Sequence, residues 1–331
     1  MRVLATTGAA IVLALATPAS ATVMVDQPYR VGADARVATD VFVNGQGPFS
    51  FLLDTAASRS MMFEHVRAKL GIATTGGPPL TVYGMQNIGT AVPVLVDQLR
   101  LSNETIRGLA MGVLPDDSDP ADGLLCMDVL SNYQVVLDRV NLRLKLQTQD
   151  SGGASDFRDW PSLSLTRRTA KDAAANLWLM RASVGGISFN SLLDMGSGMT
   201  IVNWPAAEQL GLKRTHFPRE GVPQKLRDAL GTVEPIIFAT GLTLWMGGHV
   251  FTDQTVLVAN VRAFQYFHLD GEPAAIIGSG LLKDNSVAID FARQRLYVGP
   301  AVRSDGGTGV RDRAGAGTLD RSACRVGAVL C

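Results

Sequence analysis

Two aspartates follow the same kind of segment in the two halves of the sequence. Asp54 ends the mostly apolar run 49–53 and Asp194 ends the run 189–193, with the phenylalanine, both leucines and the aspartate in the same register. A carboxylate at the end of an apolar strand lies at the edge of a core, where it needs hydrogen-bond donors. If the two halves pack about a pseudo-two-fold axis, Asp54 and Asp194 share one site.

Two adjacent carboxylates suit acid–base chemistry on water. Because both cannot ionise cheaply within a few ångströms of each other, they hold one proton between them. The ionised member accepts a proton from water and the protonated member donates one. Other site chemistries find less support: the four histidines lack metal-ligand spacing, and no serine lies in a nucleophile elbow.

A hairpin and a short amphipathic segment position each aspartate. Asn44-Gly45 in the first half and Gly185-Gly186 in the second stand between two predicted strands, and both pairs are typical of hairpin turns. After each aspartate an amphipathic segment ends in glycine, at Gly71 and Gly211, with the same spacing. The repeat therefore predicts two β domains of one design.

These motifs resemble those of a known family. Asp-Thr-Ala-Ala-Ser at 54–58 (the first turn) and Asp-Met-Gly-Ser-Gly at 194–198 (the second turn) resemble the Asp-Thr-Gly-Ser/Ala turn of bacterial retropepsin-like, two-lobed aspartyl proteases. A second repeated block, residues 124–130 and 276–282, resembles the family segment that packs behind this turn. The resemblance covers residues 27–300. It implies an all-β fold of two tandem retropepsin-like β-barrel lobes in a pepsin-like bilobal arrangement with a central cleft.

The resemblance also implies roles for single residues. Asp54 and Asp194 are the implied catalytic pair, and Thr55 donates to the backbone of the opposite lobe. Gly196 keeps the second turn open, while Ser197 bonds the aspartate or a neighbouring backbone group.

A hairpin over residues 80–96 corresponds in the family to the flap that closes over a bound peptide. Tyr83-Gly84 would be the tip of this flap hairpin. The alternative is an ordinary surface hairpin with a packed tyrosine.

Three positions depart from the family pattern. Ala56 replaces a glycine of the first turn, which has a cost if the position needs positive φ or a close backbone approach. Met195 replaces the second threonine and has no hydroxyl, so half of the lock between the turns is missing. Cys126 stands where a glycine is expected, and we interpret it as a small buried hydrophobe rather than a reactive thiol.

Composition and length set the organisation. The 331 residues are 47% hydrophobic, enough for two cores, and 30 Lys+Arg balance 30 Asp+Glu, which argues against nucleic acid or an anionic membrane as partner. Residues 1–21 resemble a secretory signal peptide, so we expect export to the periplasm or medium, with no membrane span after its removal. The alternative is an N-terminal anchor, but the apolar run is short for a span. We divide the remainder into a first lobe (24–150), a linker (151–156), a second lobe (157–300) and a disordered tail (301–331).

Together these features predict an aspartic endopeptidase that hydrolyses peptide bonds with a water activated by one aspartate from each lobe. No metal or other cofactor is implied, the partner is a peptide or protein substrate, and a monomer suffices because one chain carries both half-sites. Two alternatives stay open. One is a catalytically weak or inactive, exported peptide-binding protein, and the other is a pair of structural β domains that never form a shared site.

Overall fold

A computed structural model of the chain describes residues 22–85, 87–116, 121–149, 157–169, 176–213, 224–227, 233–302 and 324–325. The predicted signal peptide and the predicted linker lie outside these residues. Strands dominate the described chain, which confirms the all-β expectation. Within the described part, no helix has the length and apolar character needed to cross a membrane.

The first lobe consists of short strands with two short helices. Its elements are β1 (Val23–Val31), β2 (Val37–Val43), β3 (Gln46–Leu53), β4 (Met61–Phe63), α1 (Glu64–Leu70), β5 (Leu80–Tyr83), β6 (Ile88–Leu101), β7 (Glu104–Leu114), β8 (Gly123–Leu125), α2 (Met127–Leu130), β9 (Gln134–Asp138) and β10 (Arg143–Gln147). The predicted amphipathic segment is α1. It ends at Gly71, whose φ of 63° is the left-handed conformation that favours glycine.

The second lobe follows the same plan. Its elements are β11 (Ser162–Ser164), β12 (Thr166–Thr169), β13 (Asn176–Val184), β14 (Ile187–Asp194), β15 (Thr200–Val202), α3 (Trp204–Gln209), β16 (Gln224–Arg227), β17 (Val233–Met246), β18 (His249–Val258), α4 (Arg262–Tyr266), β19 (Ala274–Gly278), a 3₁₀ helix (Ser279–Leu282), β20 (Asn285–Asp290) and β21 (Arg295–Ala301). A last strand, β22 (Cys324–Arg325), lies in the tail.

The strand that delivers each aspartate is central in its lobe. β3 pairs in parallel with β8, with Leu53 opposite Leu125, and β14 pairs in parallel with β19, with Leu193 opposite Ile277. All four of these side chains are buried. A strand covered on both faces reads as a continuous apolar run, which is why the runs before the aspartates are apolar at successive positions.

A shared sheet joins the two lobes. β9 of the first lobe pairs antiparallel with β20 of the second, with Leu137 opposite Val287 and Val136 opposite Ala288. Along this sheet the order is β11, β21, β20, β9, β10 and β1, so each lobe contributes three adjacent strands. This backbone pairing joins the two lobes directly.

The predicted disorder of the tail is wrong at two places. Ala301 extends β21, and Cys324 and Arg325 form β22, which pairs in parallel with Leu226 and Arg227 of β16. Backbone pairing with a strand of the second lobe thus includes these two residues. Residues 303–323 and 326–331 lie outside the described residues.

Candidate active site

Each aspartate is held by the backbone of its own turn. Asp54 and Asp194 are fully buried. Asp54 Oδ1 accepts a hydrogen bond from Ala56 N at 2.8 Å, and Asp194 Oδ1 accepts one from Ser197 N at 3.0 Å. The second carboxylate oxygen, Oδ2, of each aspartate is also buried and accepts no hydrogen bond from any residue that the structure describes. Each carboxylate therefore has one oxygen fixed by its turn and one oxygen available to another partner.

Thr55 ties the first turn to the second. Its Oγ1 donates to the Leu193 carbonyl oxygen at 2.9 Å and accepts from Met195 N at 3.0 Å. One buried hydroxyl thus bonds the backbone on both sides of Asp194. The expectation that Thr55 donates to the opposite lobe is confirmed.

Gly196 brings the second turn against the first carboxylate. A Cβ at this position would lie 2.6 Å from Asp54 Cγ and 2.7 Å from Asp54 Oδ2, which is too close for a real side chain. Glycine is therefore required by the approach of the two turns. The structure brings Asp54 and Asp194 together across the lobe boundary, as the repeat in the sequence suggests.

The environment favours protonation of both carboxyls. Burial raises the pKa of Asp54 to about 7, against the lowering effects of the Ala56 N–H, the Arg36 charge and the Ala57 N–H. Burial, and then the charge of Asp54, raise the pKa of Asp194 well above its usual range. The like-charge effect is the one expected of two carboxyls that compete for a proton.

The positions that depart from the family pattern are accommodated in different ways. Met195 is buried in the apolar core and makes no side-chain bond across the lobes. Ala56 is not among the residues with positive φ, so its backbone conformation carries no strain of that kind. Cys126 is fully buried, as predicted, in a small cluster with Leu52 and Met61.

Ser197 bonds the backbone with its hydroxyl and the aspartate with its amide. Its Oγ donates to the Met199 carbonyl oxygen at 2.8 Å, while its N–H is the donor to Asp194. Ser279 N and Oγ both donate to the Ser197 carbonyl oxygen, at 2.7 and 2.8 Å. Residues of its own lobe therefore help to fix the second turn, in addition to the contact with Thr55.

The flap hairpin contacts the second lobe. The Tyr83 ring lies 4.1 Å from the Tyr266 ring, measured between centroids, and Arg262 N donates to the Met85 carbonyl oxygen at 2.7 Å. Gly84 N donates to Asn87 O at 2.8 Å and closes the hairpin turn. Tyr83 is therefore a packed tyrosine, and its packing partner belongs to the opposite lobe.

Sequence reasoning missed three residues near the site. Tyr266 and Arg262 meet the flap hairpin, and Arg36 is a buried cation that lowers the pKa of both aspartates. Arg36 is only 4% exposed. A charged residue immediately before the buried strand β2 is the one signal in the sequence that points to it.

Comparison with known proteins finds similarity to aspartyl proteases in the first lobe. A family model described as aspartyl protease matches residues 39–129, which include Asp54, Thr55 and Tyr83-Gly84. Among solved structures, a retropepsin-like aspartic protease from Rickettsia conorii is 22% identical; the match covers 39% of this chain and 94% of that chain, with a TM-score of 0.31. No curated protein matches the chain. The family match thus covers the part of the first lobe that carries Asp54, and the aspartate turn found there has a counterpart at Asp194 in the second half.

Proposed function

We propose that the protein is an aspartic endopeptidase whose catalytic residues are Asp54 and Asp194. One observation carries the proposal. Two buried carboxylates come from duplicated turns that Thr55 and Gly196 hold in contact, and the Oδ2 atom of each accepts no hydrogen bond from the described residues. The raised pKa of both carboxyls supports a pair that retains a proton near neutral pH.

The proposed mechanism needs one water and one shared proton. The ionised carboxylate accepts a proton from the water as its oxygen attacks the scissile carbonyl carbon. The protonated carboxyl donates to the carbonyl oxygen, and a proton then passes to the leaving amine as the C–N bond breaks. Because the two groups titrate as a pair, either aspartate is suited to either role.

The substrate class is an extended peptide in the cleft between the lobes. A peptide that lies under the flap hairpin gains backbone hydrogen bonds along its length, and side-chain pockets select its sequence. With the hairpin in contact with Tyr266 and Arg262, both carboxylates have zero exposure. The hairpin must therefore move away from the second lobe before a peptide reaches Asp54 and Asp194.

The sequence also supports a proposal about the cellular setting. We propose that residues 1–21 direct export to the periplasm or the medium and are then removed. A single chain supplies both aspartates, so a monomer is sufficient for activity.

The test is cleavage of a mixed peptide library by the purified chain from acidic to neutral pH. We expect internal cleavage by the wild type and none by Asp54→Asn or by Asp194→Asn, both of which keep the side-chain shape. Full cleavage by either variant would overturn the assignment of the pair.

A second candidate function is peptide binding without hydrolysis. The observation that favours it is Met195, which removes one hydroxyl from the contact between the turns. If the wild type binds peptides of the same library but cleaves none of them, peptide binding without hydrolysis is the function.

A further inference from the structure

A loop of the first lobe is seated on the second turn. Residues 32–36 connect β1 to β2, and a Cβ on Gly198 would collide with the Asp34 carbonyl oxygen. A Cβ on Gly280 would collide with the Gly198 carbonyl oxygen and would lie 3.7 Å from Ala35 Cβ. Two glycines of the second lobe therefore make the space in which this loop lies.

The first lobe has no such space at the equivalent positions. Ser58 occupies the place of Gly198 in the first turn, and Asp128 occupies the place of Gly280 in the repeated block. Asp128 accepts hydrogen bonds from Ser60 Oγ at 2.6 Å and from Ser60 N at 2.8 Å. The two glycines that make room for the loop are thus not repeated in the first lobe.

The loop fixes the position of Arg36. Gly32 N donates to the Arg36 carbonyl oxygen at 2.9 Å, and Ala35 N donates to the Gly32 carbonyl oxygen at 2.9 Å. Arg36 Nε donates to Asp34 Oδ2 at 2.6 Å, and Arg36 N donates to Asp34 Oδ1 at 3.2 Å. The guanidinium is therefore anchored at one edge by a carboxylate of its own loop.

The Arg36 charge lies in the same buried region as the candidate pair. A buried cation is costly unless anions lie nearby. Arg36 forms an ion pair with Asp34, and its charge also lowers the pKa of Asp54 and of Asp194. The other groups that act on the two candidate carboxyls are backbone N–H groups of the turns, those of Ala56, Ala57, Gly196 and Ser197. Arg36 is thus the cation that opposes the negative charge of the pair within the described site.

We propose that Arg36, held by Asp34 in the loop seated on Gly198 and Gly280, is a positioning residue that sets the pH range over which Asp54 and Asp194 share one proton. The inference rests on the proposed function of the two aspartates. Arg36 contacts neither water nor substrate in this role. It acts through its charge, which favours the singly ionised pair over the fully protonated pair.

The activity test uses Arg36→Met with Arg36→Lys as the matched control. Loss of the cation raises both apparent pKa values of the pair, so both limbs of the profile of kcat/KM against pH move to higher pH, by about one unit. Lysine keeps the charge, and its profile stays close to that of the wild type. An unshifted profile for Arg36→Met would overturn the proposal, because a merely structural role lowers the rate without moving the limbs.

A second measurement does not require activity. We expect NMR titration of ¹³C-labelled aspartate carboxyls to show Asp54 and Asp194 titrating at higher pH in Arg36→Met than in the wild type. If the wild type is inactive but Asp54 and Asp194 titrate at higher pH in Arg36→Met, the proposed function fails and the electrostatic role of Arg36 stands. If the wild type is active and the titration does not shift, the proposed function stands and the role of Arg36 fails. If Arg36→Met does not fold, Arg36→Gln takes its place. If neither variant folds while Arg36→Lys does, the Arg36 charge is needed for folding, and the proposal is wrong.

Discussion

The two aspartate turns contact each other through different means. The first turn uses the hydroxyl of Thr55, and the second turn uses Gly196, which has no side chain. Thr55 bonds the backbone on both sides of Asp194, whereas Met195 at the equivalent position is packed in the core. Gly196 in turn lies against the Asp54 carboxyl, where no side chain would fit. The backbone is thus duplicated, but the contacts between the turns are not. The first turn supplies the hydroxyl, and the second turn supplies the glycine.

The segments behind the turns differ in the same way. In the first lobe Ser60 and the partly buried Asp128 form a hydrogen-bonded unit, and loss of hydration raises the pKa of Asp128. In the second lobe Gly280 replaces Asp128, and the loop that carries Arg36 fills the space. The first turn is therefore fixed by its own lobe, whereas the second turn also depends on a loop from its neighbour.

The largest expected effect concerns the stability cost of the two charges. Folding raises the pKa of both Asp54 and Asp194. The stability that these two groups contribute is therefore fully present below their pKa in the unfolded chain, and it is lost as pH rises through their pKa in the folded protein. For Asp54 the range from 3.8 to about 7 corresponds to a loss on the order of 4 kcal/mol. We expect Asp54→Asn to lose less stability than the wild type between acidic and neutral pH, measured by urea unfolding. If the free energy of unfolding depends on pH in the same way in both proteins, the raised pKa of Asp54 is contradicted.

The next effect separates Gly196 from Ala56. Gly196→Ala places a methyl group against the Asp54 carboxyl and displaces it, and we expect kcat/KM to fall by about 100-fold. Ala56→Gly is the matched control at the equivalent position. It removes a methyl group, and we expect near-normal kcat/KM with about 0.5–1 kcal/mol lower stability. Equal losses of activity in both variants would break the comparison between the turns.

A smaller effect tests the hydroxyl of Thr55. Thr55→Val leaves the Leu193 carbonyl and the Met195 N–H buried without their partner, and we expect a destabilisation of about 2 kcal/mol. Thr55→Ser keeps the hydroxyl and serves as the control. Chemical denaturation of the wild type and the two variants measures the free energy of unfolding. Equal stability of Thr55→Val and Thr55→Ser would show that the Thr55 hydroxyl does not stabilise the contact between the turns.

The smallest effect concerns the contact between Tyr83 of the flap hairpin and Tyr266 of the second lobe. Tyr266→Ala removes the aromatic partner of Tyr83, worth about 1 kcal/mol, and we expect a rise of roughly fivefold in kcat/KM as the hairpin opens more readily. Tyr266→Phe keeps the ring and should leave kcat/KM unchanged. A fall in kcat/KM for Tyr266→Ala would instead assign the ring to substrate binding.

Much of each half-site was predictable because it is local and repeated. The apolar runs ending at Asp54 and Asp194, the hairpin glycines and the helix ended by Gly71 all leave periodic or conformational signals in the sequence. The bond from Thr55 followed from the family resemblance, and its geometry is as expected.

The contacts that break the repeat were not predictable. Asp34 meets Gly198, and Met85 meets Arg262, through backbone atoms, which every residue has. Such contacts depend on how the lobes pack and leave no pattern in a single sequence. The same holds for the pairing of β9 with β20, whose strands read only as apolar runs.

The central claim is that Asp54 and Asp194 compete for one proton in one site, and titration of ¹³C-labelled aspartate carboxyls tests it most directly. Burial and the Asp54 charge together raise the pKa of Asp194. We therefore predict that Asp194 titrates at clearly lower pH in Asp54→Asn than in the wild type. An Asp194 titration that is the same in both proteins would contradict the account.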